Sequence, residues 1–140
     1  MTVTVKRLGE AGDAVLAKVA PDVFDEPIDA DRLAAYLAAP GHLMLLALDG
    51  DVVVGQCAAV IHYHPDKPTE LYVDELGTAS THRRRGIGRQ LLDAMFDWGR
   101  ELGCAEAWLG TELDNEAANG LYRGASPIED AAIQYYLFRL

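Results

Sequence analysis

Residues 3–8, VTVKRL, alternate apolar and polar side chains, and that period of two predicts a first strand. Residues 10–20 read as a helix stopped by Pro21. In DADRLAAYLAAPG, Asp29 stands as a helix N-cap, Leu33, Tyr36 and Leu37 share one face, and Pro40-Gly41 ends the helix. Two apolar runs flanking Asp49-Gly50 predict a β-hairpin. TELYVDELGTA (69–79) is a further strand, in which Gly77 marks a bulge or a close backbone approach. Beyond Gly86, Ile87, Leu91, Met95, Trp98 and Leu102 recur at spacings of four and three, the stripe of an amphipathic helix that Gly103 would end. AEAWLGTEL then reads as a strand, DNEAANGLYR as a short helix capped by Asp114 or Asn115, and AAIQYYLFRL (131–140) as a closing strand. The order is that of an α/β fold, with a sheet antiparallel at first and one parallel βαβ step. No repeat or low-complexity linker divides the chain, so residues 1–140 are expected to form a single domain.

Charge changes the picture at one place. The chain carries 22 acidic and 12 basic side chains, a formal net charge of -10. Four of the 12 basic residues, Arg83, Arg84, Arg85 and Arg89, nevertheless surround Gly86-Ile87-Gly88, where a strand hands over to a helix. A helix start presents unpaired N–H groups and the positive end of its dipole. Glycine lets an anion reach that backbone, and arginine adds charge, so the amides of roughly Arg84 to Arg89 form a candidate pyrophosphate site. The bland alternative is a solvated basic loop with helix-capping glycines. The spacing is not that of a P-loop, which needs a Gly-Lys-Ser/Thr ending. Nor is it G-x-G-x-x-G, because Leu91 stands at the third glycine position.

The acidic balance argues against nucleic acid as a partner and favours cationic small molecules or basic peptides. No apolar run approaches the roughly 20 residues that span a bilayer, and the start of the chain lacks a signal pattern, so a soluble, cytoplasmic protein without a membrane partner is expected. Cys57 and Cys104 lie in apolar, strand-like surroundings and read as packing residues rather than nucleophiles. His62 and His64 share a face two residues apart. No cysteine or second carboxylate cluster completes a ligand set, so a plain loop and no metal site are expected.

Arg83-x-x-Gly86-x-Gly88, following a strand that ends Leu76-Gly77-Thr78, resembles the acetyl-CoA pyrophosphate loop of the GNAT superfamily of N-acetyltransferases. DNEAANGLYR is similar to that family's later helix, and the strand order matches over nearly the whole chain. Within the superfamily, ELYVDELGTASTHRRRGIG resembles the aminoglycoside 3-N-acetyltransferase group. The resemblance implies a central, mostly antiparallel sheet with a parallel βαβ step and helices on both faces. It also implies direct acetyl transfer from acetyl-CoA to an amine.

Carried over residue by residue, backbone groups of Leu76, Gly77 and Thr78 would hold the acyl and pantetheine arms. Arg83, Arg84, Arg85, Gly86, Ile87, Gly88 and Arg89 would hold the pyrophosphate, with Asn115 also beside the cofactor. Tyr122 would be the general acid, or else a core tyrosine of a short helix. Glu75 would be the base, with Asp74 as its neighbour; in a regular strand the two point to opposite faces and one alone meets the acceptor. The segment after Tyr122 departs from the family pattern, with Ser126-Pro127 where glycine and an apolar residue usually follow.

PDVFDEPIDAD (21–31) holds Asp22, Asp25, Glu26, Asp29 and Asp31. Asp25 and Glu26, together with Asp74, are the candidate contacts to a cationic amine such as an aminoglycoside or polyamine, the alternative for this segment being a solvated acidic loop. Acetylation of a protein N-terminus or lysine, and a non-catalytic acyl-CoA-binding module, are the competing functions. The aromatic segment 131–140 suggests a homodimer.

Overall fold

The computed structural model describes residues 2–11 and 13–140. Its elements run β1 (Val3–Arg7), α1 (Leu8–Ala11), a 3-10 turn (Asp13–Ala17), α2 (Ala30–Ala38), β2 (His42–Asp49), β3 (Val52–His62) and β4 (Glu70–Thr78). A second 3-10 turn (Ser80–His82), α3 (Ile87–Glu101), β5 (Glu106–Trp108) and α4 (Glu116–Gly124) follow. The chain divides into two compact units, residues 1–109 and 110–140.

The first unit holds a five-stranded sheet in the order β1-β2-β3-β4-β5. The first three pairings are antiparallel and β4–β5 is parallel, with α3 as the crossover. This is the mixed α/β sheet expected from the sequence. Asp49-Gly50 does make the hairpin turn, with Gly50 at φ +62°, a conformation that favours glycine.

Helix α3 packs on one face of the sheet through Ile87, Leu91, Leu92 and Met95, all buried. Gly55 of β3 and Gly99 of α3 let the layers close. A Cβ on Gly55 would stand 3.1 Å from both Ile87 and Leu91, and one on Gly99 would stand 2.9 Å from Leu71. The stripe is rotated slightly from expectation, since Leu92 and Gly99 are buried and Leu102 is 48% exposed. Gly103 ends the helix as expected, at φ +87°, donating its N–H to Arg100. At the sheet's far edge, Arg7 of β1 pairs with Glu101 at 2.6 Å and stacks over Trp98 at 4.3 Å.

Three expected elements differ. The helix over 10–20 is replaced by α1 and a 3-10 turn, with Gly12 outside the described residues. The cause is tertiary. The backbone of 18–20 bonds to β3, with Val53 N–H donating to Lys18 O and Ala20 N–H to Val53 O, both at 2.9 Å. The strand expected in AEAWLGTEL is confined to Glu106–Trp108. The closing strand is absent. No helix or strand of the described residues includes 131–140, and Ile133, Tyr135, Tyr136, Leu137 and Phe138 are exposed. A strand exists only through a neighbour's hydrogen bonds, and alternation in sequence cannot supply that neighbour.

In the second unit, Asn115 rather than Asp114 caps α4, its side chain accepting from Ala118 N–H at 3.1 Å. Helix α4 runs on through Gly124, and the chain turns at Ser126, whose φ is +59°. Ser126 thus takes the left-handed position that glycine usually fills.

These packing differences separate two leucines of one helix. Leu91→Ala should cost about 2–5 kcal/mol in a denaturant titration, and Leu102→Ala should stay within about 0.5 kcal/mol. Equal losses would contradict the observed face of α3.

Candidate active site

The site is built on a defect in β4. Val73 pairs with Ala59 and Glu75 with Ala58, so Asp74 is an extra residue with no partner on β3. A bulge of this kind bends the strand and re-aims its side chains. The expectation that Asp74 and Glu75 face opposite sides assumed a regular strand, and the bulge removes that premise. Both are exposed, and the charges of both raise the Tyr36 hydroxyl. Alternation fails because the extra residue breaks the pleat between them.

Beyond the bulge β4 continues through Leu76, Gly77 and Thr78, paired to β3 at Cys57, Gln56 and Gly55. On its other side, β5 pairs only with Glu70, Leu71 and Tyr72. The parallel ladder therefore stops short, and among the described residues no strand pairs with the β5-side edge of the later part of β4.

Gly77 is a point of close approach. A Cβ there would stand 2.5 Å from the Val23 carbonyl oxygen, too close for any side chain. Gln56, buried and opposite Gly77, donates from Nε2 to the same Val23 oxygen at 3.4 Å. Gly55 and Gln56 are consecutive, so Val23 meets the sheet on the face opposite α3. Asp22 at φ +68° turns the chain into this contact.

The residues after Val23 carry the acidic segment to the bulge. Phe24, Asp25, Glu26 and Glu75 line one open depression of about 440 Å³. Burial, then the charges of Asp25 and Asp74, raise the Glu75 carboxyl above the usual glutamate range. Burial likewise raises Asp74, opposed by its own backbone hydrogen bond and the nearby His42. Tyr36, on the inner side of α2, donates to Leu43 O at 3.1 Å and packs edge-on against His42. Burial first, then Asp74 and Glu75, push its hydroxyl up to about 12. Tyr36 and His42 are the site neighbours that sequence reasoning did not assign. Tyr36 was visible as part of an apolar helix face, but nothing local marked His42.

The Arg-Gly loop lies between β4 and α3, as expected. Ala79 N–H donates to Val54 O, and His82 bonds Asp49 Oδ2 at 2.9 Å and Thr81 at 2.7 Å, anchoring the loop's start to the β2–β3 turn. Arg84 (φ +61°) and Gly86 (φ +77°) take left-handed conformations, and no atom stands within 4 Å of where a Gly86 Cβ would be. The first turn of a 15-residue helix is thereby left open to an anion, and Arg83, Arg84 and Arg85 are exposed around it. Arg89 pairs with Asp93 at 3.0 Å, while Ile87 points into the core and Gly88 is half-buried. This loop fits a pyrophosphate.

Asn115 and Tyr122 both lie on α4 in the second unit, where Tyr122 is half-buried. The Asn115 side-chain oxygen serves as the helix cap. The Cys57 thiol is pushed up to about 12 by burial and by Asp74, which leaves it unreactive, and burial also raises Cys104. Among the described residues no helix is long and apolar enough to cross a membrane.

The model of the acetyltransferase (GNAT) family matches residues 15–125. The N-alpha-acetyltransferase RimI of Mycobacterium tuberculosis is 30% identical over 86% of this chain and 75% of its own length. The probable N-acetyltransferase HLS1-like of Arabidopsis thaliana is 42% identical over 38% of this chain, a match that spans 13% of that longer protein. Among solved structures, the aminoglycoside acetyltransferase meta-AAC0020 from an uncultured soil metagenomic sample, in complex with sisomicin, superposes with a TM-score of 0.82. It covers 99% of this chain and 96% of its own at 19% identity. The aminoglycoside N-acetyltransferase AAC(6')-Iy in complex with CoA has a TM-score of 0.76, covering 99% and 96% at 20% identity. These two likenesses are of fold. With the family model matching most of its length, the chain belongs to the acetyltransferase (GNAT) family and is an acetyl-CoA-dependent N-acetyltransferase.

Proposed function

We propose that the protein transfers an acetyl group from acetyl-CoA to a primary amine of a small cationic acceptor of the aminoglycoside or polyamine kind. The observation that carries this reading is the depression in which Asp25 and Glu26 stand with Glu75. Three carboxylates around one opening attract a polycation, and one of them, Glu75, raised above the usual glutamate range, directly follows the bulge residue Asp74. The fold neighbours point the same way, since one is an aminoglycoside acetyltransferase with sisomicin bound. A single catalytic domain acting in the cytoplasm fits this reading.

In the proposed mechanism Glu75 takes the proton from the ammonium group, for which a carboxyl raised above the usual glutamate range is better suited than an ordinary one. Asp74, Asp25 and Glu26 hold the cation beside it. Backbone groups of Leu76, Gly77 and Thr78, on the edge that β5 leaves unpaired, orient the acyl and pantetheine arms. A fixed N–H on that edge is positioned as donor to the developing oxyanion. Arg83, Arg84, Arg85 and Arg89, with the amides of Gly86, Ile87 and Gly88, hold the pyrophosphate, and Asn115 completes the cofactor contacts. Tyr122 supplies the proton to the leaving thiolate.

A second reading is acetylation of a peptide N-terminus, favoured by the name of the RimI relative. Release of free CoA thiol with sisomicin, spermidine and short peptides compares the two, and a higher kcat/KM for the peptides would displace the small-amine reading.

The homodimer suggested by residues 131–140 is proposed on a stronger observation than composition. Tyr135, Tyr136, Leu137 and Phe138 are each more than 70% exposed, a continuous apolar run that solvated monomers rarely display. A second copy of the chain is the partner always present at matching concentration, so these residues would be covered in a symmetric pair.

Four outcomes test these proposals. Acetyl-CoA at about 100 times its dissociation constant should stabilise the protein by about 2.7 kcal/mol in thermal unfolding, and Gly86→Glu should abolish that shift. Glu75→Gln should lower kcat/KM by roughly 10²- to 10⁴-fold. Asp25→Asn should leave an active enzyme whose acidic limb moves to lower pH, because it removes a charge that raises Glu75. A limb that stays in place would separate Glu75 from the base. Sedimentation at micromolar concentration should give a dimer, and Tyr136→Asp with Phe138→Asp should give a monomer.

A further inference from the structure

The β3–β4 hairpin carries a second cluster, at the opposite end from the bulge. His62 closes β3 and Glu70 opens β4, and the two are paired across the antiparallel ladder. The connection between them, YHPDKPT, places His64 back over this rung, with its Nε2 in contact with the Glu70 carboxylate. The His62 and His64 rings face one another, with centroids 4.1 Å apart. One ligand atom from each of His62, His64 and Glu70 lies within 4.8 Å of the others. The carboxylate whose absence from the sequence argued against a metal is thus supplied by the sheet register.

We propose that His62, His64 and Glu70 bind a divalent transition metal of the zinc class. The donor set is two imidazoles and one carboxylate, which suits zinc and its neighbours, whereas calcium and magnesium seek mostly oxygen. Tetrahedral ligand atoms about 2.0–2.2 Å from zinc stand roughly 3.3–3.6 Å from one another, so modest side-chain rotation converts the cluster into a ligand triangle. The scaffold is preorganised. Glu70 is held by β3 on one side and β5 on the other, and Pro65 and Pro68 restrict the connection. His64 and Glu70 have side chains only 13% and 25% exposed, while His62 lies at the surface, so the metal would have one open side for water.

The position fixes the role. Glu75 lies five residue steps along β4 from Glu70, roughly 16 Å at strand rise. A metal there is outside reach of the acetyl-transfer chemistry and would act as a clip on the hairpin. The inference is therefore independent of the proposed acceptor.

The test uses the full chain with cobalt chloride and zinc chloride as probes. One equivalent of cobalt should give the visible absorption of a four-coordinate site, zinc should displace it, and zinc should raise the unfolding temperature. Among the chain's 4 histidines, zinc should shift the ring-proton resonances of His62 and His64 and leave His42 and His82 unmoved. His62→Asn, His64→Asn and Glu70→Gln should each weaken binding at least about tenfold, and surface-lying His62→Asn guards against a variant that merely fails to fold. Overturning results are no cobalt spectrum and no zinc shift at about millimolar metal, binding that survives all three replacements, or resonance shifts centred on His42 or His82. In each case the cluster is only a histidine–carboxylate hydrogen bond.

Discussion

The approach of the Val23 carbonyl to Gly77 is the constraint on which the site depends. Any side chain at position 77 would occupy the space of that oxygen. The contact fixes a segment with no regular structure of its own against the sheet, and Gln56 bonds the same oxygen from below. Asp25 and Glu26 follow directly, so their position beside Glu75 is set by a backbone contact rather than by a helix or strand. Four like charges, Asp25, Glu26, Asp74 and Glu75, would separate if left free. Packing at Val23, 2% exposed, opposes that repulsion, and burial first, then the charges of Asp25 and Asp74, raise the Glu75 carboxyl.

The bulge does a complementary task. A regular β4 would send Asp74 and Glu75 to opposite faces. One extra residue breaks that regularity. It brings two carboxylates to bear on Tyr36, and the β5 ladder ends at Tyr72 before the bulge is reached. The Tyr72–Trp108 stack, with centroids 4.2 Å apart, marks that last rung. Beyond it an unpaired strand edge and a ring of acidic groups become neighbours on one strand, as transfer between an acyl carrier and an amine requires.

The sequence made the elements legible where local chemistry decides them. Asp49-Gly50 fixed the hairpin, Asp29 and Asn115 capped their helices, and the spacing from Ile87 to Met95 located α3. The Arg-Gly loop was legible because charge and glycine coincide against an acidic background. What remained hidden was set by distant partners. The backbone of 18–20 joins β3 at Val53, which no helix propensity could reveal. Residues 131–140 have the alternation of a strand but no ladder in the described chain. His42 and Glu70 gain their meaning only through register, three strands of which must be known before either meets its neighbours.

Charge is divided along the first unit in a way that follows from these contacts. The net charge of -10 is spread widely, yet the open start of α3 gathers exposed arginines and the bulge gathers carboxylates. Both regions grow from the two ends of one short stretch, Asp74 to Arg89, which contains the bulge, the unpaired strand edge and the helix start. The proposed reaction joins an anionic donor to a cationic acceptor, which need opposite fields at close quarters. Placing them on consecutive elements of one chain segment keeps their separation fixed by strand and helix geometry. A hinge within that stretch would undo this, and the His82–Asp49 and Ala79–Val54 bonds hold the segment to the β2–β3 hairpin at its middle. The rigidity of the transfer site thus rests on a hairpin that contributes none of the proposed catalytic side chains.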